Sequence, residues 1–227
     1  MYKFEIHLHT KACSACAVSD GIEMVDAAKA AGYSGLVITN HFYHGNTAVD
    51  RNLDWEDFVE AYNKDYLATR NYGKKQGIQV FFGIEEGFAP GKEMLIYGIS
   101  PKQLKEHPEF IMLGAKEKAE LVHSLGGAVI CAHPFRNRSY IPDPDAIPDV
   151  TMFDGIEMYN LGNDEQANLK AEFFVKENKI IPTSGGDVHV AKGFGYAGIA
   201  FETPIKSYKD FVKRLKKGDF SLIIPKE

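Results

Sequence analysis

Hydrophobic and polar positions along this chain switch between a two-residue and a helical period. Phe4, Ile6 and Leu8 alternate with Glu5, His7 and His9, which predicts a strand over 4–10 with the three apolar side chains on one face and both histidines on the other. Residues 34–41 (SGLVITNH) form a short, nearly continuous apolar run, the pattern of a buried parallel strand. Similar runs at 78–86 (IQVFFGIEE), 93–100 (EMLIYGIS), 128–133 (AVICAH), 154–159 (DGIEMY) and 180–189 (IIPTSGGDVH) bring the expected strands to seven, with a short closing segment at 221–224. Helical spacing falls between them. Asp20-Gly21-Ile22-Glu23 reads as a capping box opening a helix through Ala31, and Asp54 opens a long helix ending near Gly77. Further helices are expected after Pro101, over 108–125, over 163–178 and over 207–217.

Strand and helix alternate with no linker, repeat or low-complexity tract, so one domain over residues 1–227 is expected. The polar residues separate the two architectures that fit. His7 and His9, His41, Glu85 and Glu86, His133, Glu157, and Asp187 and His189 all fall at the carboxyl ends of expected strands. A parallel barrel gathers such ends on one rim, where its loops build the active site, whereas an open sheet spreads them along a line. The expected fold is a seven-stranded parallel βα barrel, TIM-barrel-like.

Composition narrows the setting. The 227 residues are 44% hydrophobic and 25% charged, as in an ordinary globular protein. A net charge of -5 supplies no basic footprint, which weighs against tight nucleic-acid binding. The chain opens directly on a strand, without a signal peptide, and has no apolar run of membrane-spanning length. Three cysteines, an odd number, point to a reducing compartment and a cytoplasmic location.

The chemistry begins with His7-Leu8-His9. Two imidazoles on an otherwise apolar strand are costly to bury unless something occupies them, and a metal ion is the simplest occupant. Asp187-Val188-His189 repeats the pattern near the other end of the chain. Mixed imidazole and carboxylate donors suit zinc, iron or manganese. Two such metals about 3.5–4 Å apart can share a carboxylate and a hydroxide and hold a phosphoryl oxygen. The charge developing on phosphorus then needs a cation. Arg136, three residues past His133 in the proline-rich stretch 134–150, can offer a two-point guanidinium contact, while Arg138 reads as a surface charge. His44 is either a loop residue or an active-site acid. Cys13 and Cys16 lack a second cysteine pair and read as thiols of a rim loop, with Cys16 as metal ligand the minor alternative. Glu86 and Glu157 are expected to hold ligand histidines in place. His107 and His123 read as solvated helix residues, the Lys213–Lys217 run as a solvated helix end, and Tyr62, Tyr66 and Tyr72 as helix packing.

His7-Leu8-His9-Thr10, Thr39-Asn40-His41, Gly83-Ile84-Glu85, Ala132-His133-Pro134, Gly155 to Asn160 and Gly185-Gly186-Asp187-Val188-His189 together resemble the polymerase and histidinol phosphatase (PHP) family, across nearly the whole chain. The resemblance implies an irregular seven-stranded barrel with two or three metal ions at the strand carboxyl ends. It would make His7, His9, His41, Glu85, His133, Asp187 and His189 ligands, with Glu85 bridging. The chain departs from the family pattern in three places. Lys11 to Cys16 stands where many members carry a histidine or aspartate, Ile99-Ser100 stands where three-metal members carry a histidine after strand four, and Asn40 precedes His41 in place of aspartate. His44 or Cys16 are the candidates to substitute for the missing ligands.

The function expected from these readings is a metal-dependent phosphoesterase that hydrolyses a small phosphomonoester through a metal-bridged hydroxide. Histidinol phosphate and a nucleotide are candidate substrates. The alternatives are a metal-dependent exonuclease or phosphodiesterase, and a non-catalytic module of the same fold stabilised by metal.

Overall fold

The computed structural model describes residues 1–146 and 149–225. In chain order its elements are β1 (Tyr2–Glu5), α1 (Gly21–Ala30), β2 (Gly35–Ile38), α2 (Trp55–Gln76), β3 (Gln79–Ala89), β4 (Lys92–Tyr97), α3 (Pro101–Lys105), α4 (Ala115–Ser124), β5 (Ala128–Cys131), β6 (Gly155–Asn160), α5 (Glu165–Asn178), β7 (Pro182–Gly185), β8 (Gly198–Phe201), α6 (Tyr208–Leu215) and β9 (Ser221–Ile223). Helix boundaries follow the local signals. Asp20 accepts from the amides of Ile22 and Glu23 while Glu23 accepts from the amide of Asp20, closing the expected capping box. Gly77 ends α2 in the left-handed conformation, at φ 77°. The single helix expected over 108–125 is instead a 3-10 turn at Pro108–Met112 followed by α4, because Leu113 leaves helical conformation and Glu117 caps the Gly114 amide.

Among the described residues the sheet is mixed and has nine strands, in the order β7-β6-β5-β4-β3-β2-β1-β8-β9, in place of seven parallel ones. Pairs β1–β2, β2–β3, β5–β6 and β6–β7 are parallel, whereas β4 runs antiparallel to both β3 and β5. The reason is chain length. Only Pro90 and Gly91 separate β3 from β4, a hairpin turn with Gly91 at φ 69°, and a parallel crossover needs about a dozen residues or more. The other two strands, β8 and β9, continue the sheet antiparallel from the free edge of β1. The Gly198–Phe201 segment that forms β8 was not among the expected strands. A parallel bridge between Leu8 and Val188, with the His9 amide donating to Val188 O at 2.9 Å and the Val188 amide to His7 O at 3.1 Å, nearly closes the barrel beyond the ends of β1 and β7.

Both faces of the strands are covered, as the continuous apolar runs required. On β2, Leu36 and Ile38 pack with Val80 and with Met24, Val25 and Ala28 of α1. Val37 of the same strand packs with Phe81, Leu95, Ile130 and with Phe211 and Leu215 of α6. The α2 residues Phe58, Val59 and Tyr62 join Val122 of α4 over Phe82, Ile84, Ile96 and Ile156. One expected face is broken. Phe4 and Ile6 belong to the α6 cluster but Leu8 to the α1 cluster, because the chain bends after β1. The bend forms around the buried Glu5 carboxyl group, whose Oε1 accepts from the amides of Ile6, His7 and Gly186. No described helix is long and apolar enough to cross a membrane.

Candidate metal centre

At the carboxyl ends of the parallel strands, side chains from distant segments meet around Glu85. Its Oε1 lies 3.1 Å from His7 Nε2 and 3.0 Å from His133 Nε2, and its Oε2 lies 2.8 Å from His41 Nδ1 and 3.4 Å from His9 Nε2. One carboxylate thus turns one oxygen to each of two imidazole pairs. Asp187 Oδ1 adds a second focus, 3.1 Å from His9 Nε2, 3.4 Å from His7 Nε2 and 3.5 Å from His189 Nδ1. The seven residues that the resemblance made ligands are therefore brought together. Among the described residues, the donor atoms of His9, His41 and His189 lie within 4.8 Å of one another, as do those of His7, His9 and Glu85, and of His7, His133 and Asp187.

Whether these residues fit a metal is answered by their unmet polar atoms. Among the described residues, His7 Nε2, His9 Nε2, His41 Nδ1 and Glu85 Oε2 are all buried without a hydrogen-bond partner. Buried polar atoms are nearly always paired, and four such atoms turned toward one another suit the donors of a cation centre. Protonation tells the same story. Burial works against ionisation of Glu85 and Asp187, yet the surrounding imidazoles, with Arg136 beside Asp187, hold both carboxyls well below the usual range. Burial, helped by His41, lowers His9 to about 3, so it stays neutral and keeps a lone pair for a metal. Against the same burial, the carboxylates raise His7 and His41. Those two imidazoles hold protons that a bound metal would displace.

The surrounding groups aim the donors. Glu157 Oε1 accepts from His7 Nδ1 at 2.9 Å, which leaves Nε2 facing the centre, and Glu157 Oε2 accepts from the His133 amide. Ser14 Oγ lies 3.0 Å from His9 Nδ1 in the same sense. His133 and Asp187 sit at φ 25° and 50°, uncommon for residues other than glycine, where the backbone turns off a strand end toward the centre. Gly185 is required by close approach, since a Cβ there would stand 2.3 Å from Glu157 Oε1 and 2.6 Å from His7 Cβ.

Several expectations need correction. Glu86 does not hold a ligand histidine. It is buried with Lys118, which donates to its Oε1, and it pairs with His44 Nδ1 at 2.6 Å. His44 lies outside the ligand groups but lines, with Cys16, His41, Glu93, Arg136 and His189, a cavity of about 540 Å³ beside them. His123 is not merely solvated, because its Nε2 meets Asp154 Oδ2 at 2.8 Å. Asn40 faces away from a ligand role, accepting from the Thr10 amide and from Ser14 Oγ, and so pins the loop after His9. Arg136 Nη2 donates to Asp187 Oδ2 at 2.5 Å and to Asn160, and its Nε donates to Asn163. The Nε–Nη2 edge is occupied, so Nη1 alone is left for an anion.

Glu93 escaped sequence reasoning. It stands 3.3 Å from His41 Nδ1 and 3.5 Å from His133 Nε2, within a His41–Glu85–Glu93 donor group. Because β4 runs antiparallel, its first residues and not its last reach this rim, and Ile99-Ser100 lies at the opposite end, where Ser100 caps α3. The signal was present in the short gap between β3 and β4. Cys16 is the other neighbour, with Sγ 3.0 Å from His189 Nε2. Burial opposes it, yet hydrogen bonds with His189 and His41 bring its thiol down to about 6.

A buried imidazole–carboxylate centre at the strand ends of a nearly closed barrel defines a class of metal-dependent hydrolase folds. The chain matches the PHP domain over residues 5–180 and the PHP-associated region over residues 165–220, and it belongs to the PHP family. Solved structures share the fold at low identity. A two-domain protein from Bacteroides vulgatus containing a predicted PHP-like metal-dependent phosphoesterase superposes with a TM-score of 0.71 at 14% identity, over 98% of this chain and 64% of that one. The chain thus spans less than two thirds of that protein. PsfC from Pseudomonas syringae superposes at 0.64 and 16% identity, over 99% of this chain and 93% of its own. A lesion-specific endonuclease from Pyrococcus furiosus superposes at 0.66 and 15%, over 95% and 56% respectively. No curated protein matches the chain.

Proposed function

We propose that this chain is a metal-dependent phosphoesterase that hydrolyses a small phosphomonoester. The observation that carries the reading is Glu85, fully buried, with one oxygen facing His7 and His133 and the other facing His9 and His41. His7, His133 and Asp187 would hold one metal and His9, His41 and His189 another, with Glu85 bridging them and Glu93 beside His41 and His133. Zinc, manganese and iron all suit this donor set. Bound there, a metal pair supplies Lewis acidity and lowers the pKa of a water nucleophile.

The chain's own groups do the rest. Glu157 and Ser14 keep the lone pairs of His7 and His9 turned inward. Arg136, fixed by Asn160, Asn163 and Asp187, lines the cavity as a preplaced cation and would offer its remaining Nη1 to a phosphoryl oxygen. His44, oriented by Glu86, stands at the same cavity as the candidate proton donor to the leaving oxygen. A cavity of about 540 Å³ suits a small ester better than a polymer, and the net charge of -5 offers no attraction to a polyanion. Elemental analysis of the purified protein, followed by a screen of phosphomonoesters, phosphodiesters and oligonucleotides with and without chelator, tests this reading. Chelator-sensitive turnover of small monoesters is expected. Turnover confined to oligonucleotides would replace the reading with a nuclease, and a protein that takes up no metal would remove it.

A further inference from the structure

Cys16 stands beside the His9–His41–His189 group, just outside the sets of donor atoms that already lie within 4.8 Å of one another, and no part of the proposed function uses it. Its Sγ stands 3.0 Å from His189 Nε2, at the edge of the His9–His41–His189 group and of the cavity. Its loop is tied to the centre twice, because the Val18 amide donates to His189 O at 2.9 Å and Ser14 Oγ lies 3.0 Å from His9 Nδ1. An independent observation points the same way. His9 Nε2 is fully buried and, among the described residues, has no hydrogen-bond partner, so its lone pair at this end of the centre is free for a cation. Zinc bonds of about 2.3 Å to sulfur and 2.0–2.1 Å to nitrogen place two donors of a tetrahedron about 3.5 Å apart. An outward shift of roughly half an ångström by the exposed Cys16 reaches that separation from the observed contact. The other two thiols cannot serve, since Cys13 and Cys131 are buried in the apolar cluster under α2 and α4.

We propose that Cys16 is a sulfur ligand at the His9–His41–His189 position, making it a mixed thiolate–imidazole site that favours zinc. The proposal rests on the metal-centre reading above. On binding, the Sγ–H bond breaks, its proton goes to solvent and the sulfur lone pair forms the bond to the cation. A thiolate among imidazoles turns the position from one that accepts manganese or iron equally toward a softer metal.

X-ray absorption at the zinc edge of the zinc-loaded full-length protein tests it directly, with Cys16→Ser as the variant and Cys131→Ala as the control. The expected result is a zinc–sulfur shell at about 2.3 Å that is present in the wild type and the control and lost in Cys16→Ser. Zinc should likewise protect Cys16 from alkylation by iodoacetamide, read by peptide mass spectrometry. Full zinc loading with nitrogen and oxygen scatterers alone, or a sulfur shell that survives Cys16→Ser, overturns the Cys16 assignment and leaves the metal centre standing. Failure of the wild type to bind zinc, manganese or iron overturns both.

Discussion

Glu157→Gln separates a residue that holds the fold from one that aims a ligand. The Glu157 carboxylate is 1% exposed and accepts three hydrogen bonds, from His7 Nδ1 at 2.9 Å through Oε1 and from the His133 amide at 3.0 Å and Asn160 Nδ2 at 2.8 Å through Oε2. A glutamine has one accepting oxygen and one donating nitrogen, so its two orientations fail differently. With the oxygen toward His7, the His133 amide and Asn160 both face a donor. Asn160 cannot turn over, because its Oδ1 already accepts from Arg136 and the Gly162 amide. That orientation orphans two buried donors at about 1–3 kcal/mol each. With the nitrogen toward His7, one conflict arises, and the imidazole, which the carboxylates keep protonated in the metal-free protein, resolves it by giving up its Nδ1 proton and keeping the one on Nε2. The fold then loses the charged contact between Glu157 and His7, and the remaining proton occupies the nitrogen that faces Glu85 and Asp187. The second orientation is cheaper than two orphaned donors, so the metal-free form should lose about 1.5–3 kcal/mol, the worth of one hydrogen bond to a charged group. Its metal affinity should fall by about 10- to 100-fold, or about 1.4–2.8 kcal/mol. Competition against a chromophoric chelator measures the affinity, and urea unfolding of the metal-free protein measures the stability. Unchanged affinity with reduced stability would show that Glu157 supports the backbone and does not set the His7 tautomer. No change in either would rule out both roles for Glu157.

Arg136→Lys should lower kcat/KM toward a phosphomonoester about 10- to 100-fold. It should also weaken metal retention, since Asp187 loses its 2.5 Å partner, while Arg138→Lys at an exposed position changes neither; kinetics and elemental analysis of both variants decide it. Lys118→Met should destabilise the protein by roughly 3 kcal/mol by leaving the buried Glu86 without its ammonium, and adding Glu86→Leu should recover most of that loss, both read by urea unfolding. Glu5 gives a pH signature, because burial raises its carboxyl from 4.5 to about 8. The folded state keeps that proton while the unfolded state loses it, so the stabilisation is complete below 4.5 and disappears as pH rises toward 8. The stability of metal-free wild type relative to Glu5→Gln should therefore fall with rising pH across this window, by at most roughly 5 kcal/mol; a pH-independent difference in urea unfolding would count against it.

Features set by local chemistry were legible along the chain. Helix starts and stops followed from caps such as Asp20 and Gly77, and covered strands such as Leu36 to Ile38 followed from unbroken apolar runs. The gathering of His7, His9, His41, Glu85, His133, Asp187 and His189 was legible because strand ends of a βα repeat share one rim, whatever the exact strand count. Tertiary structure decided direction and partnership. The hairpin that reverses β4 carries Glu93 to the rim, and the β1 bend around Glu5 moves Leu8 to a different cluster from Phe4 and Ile6. Lys118, one lysine among many along the chain, becomes the buried partner of Glu86 only when α4 docks against β5. Hydrophobic period and capping are set by neighbours within a turn or a pleat, so a linear reading finds them. Which carboxylate meets which imidazole depends on segments as far apart as Glu5 and Gly186, and only the closed chain brings those together.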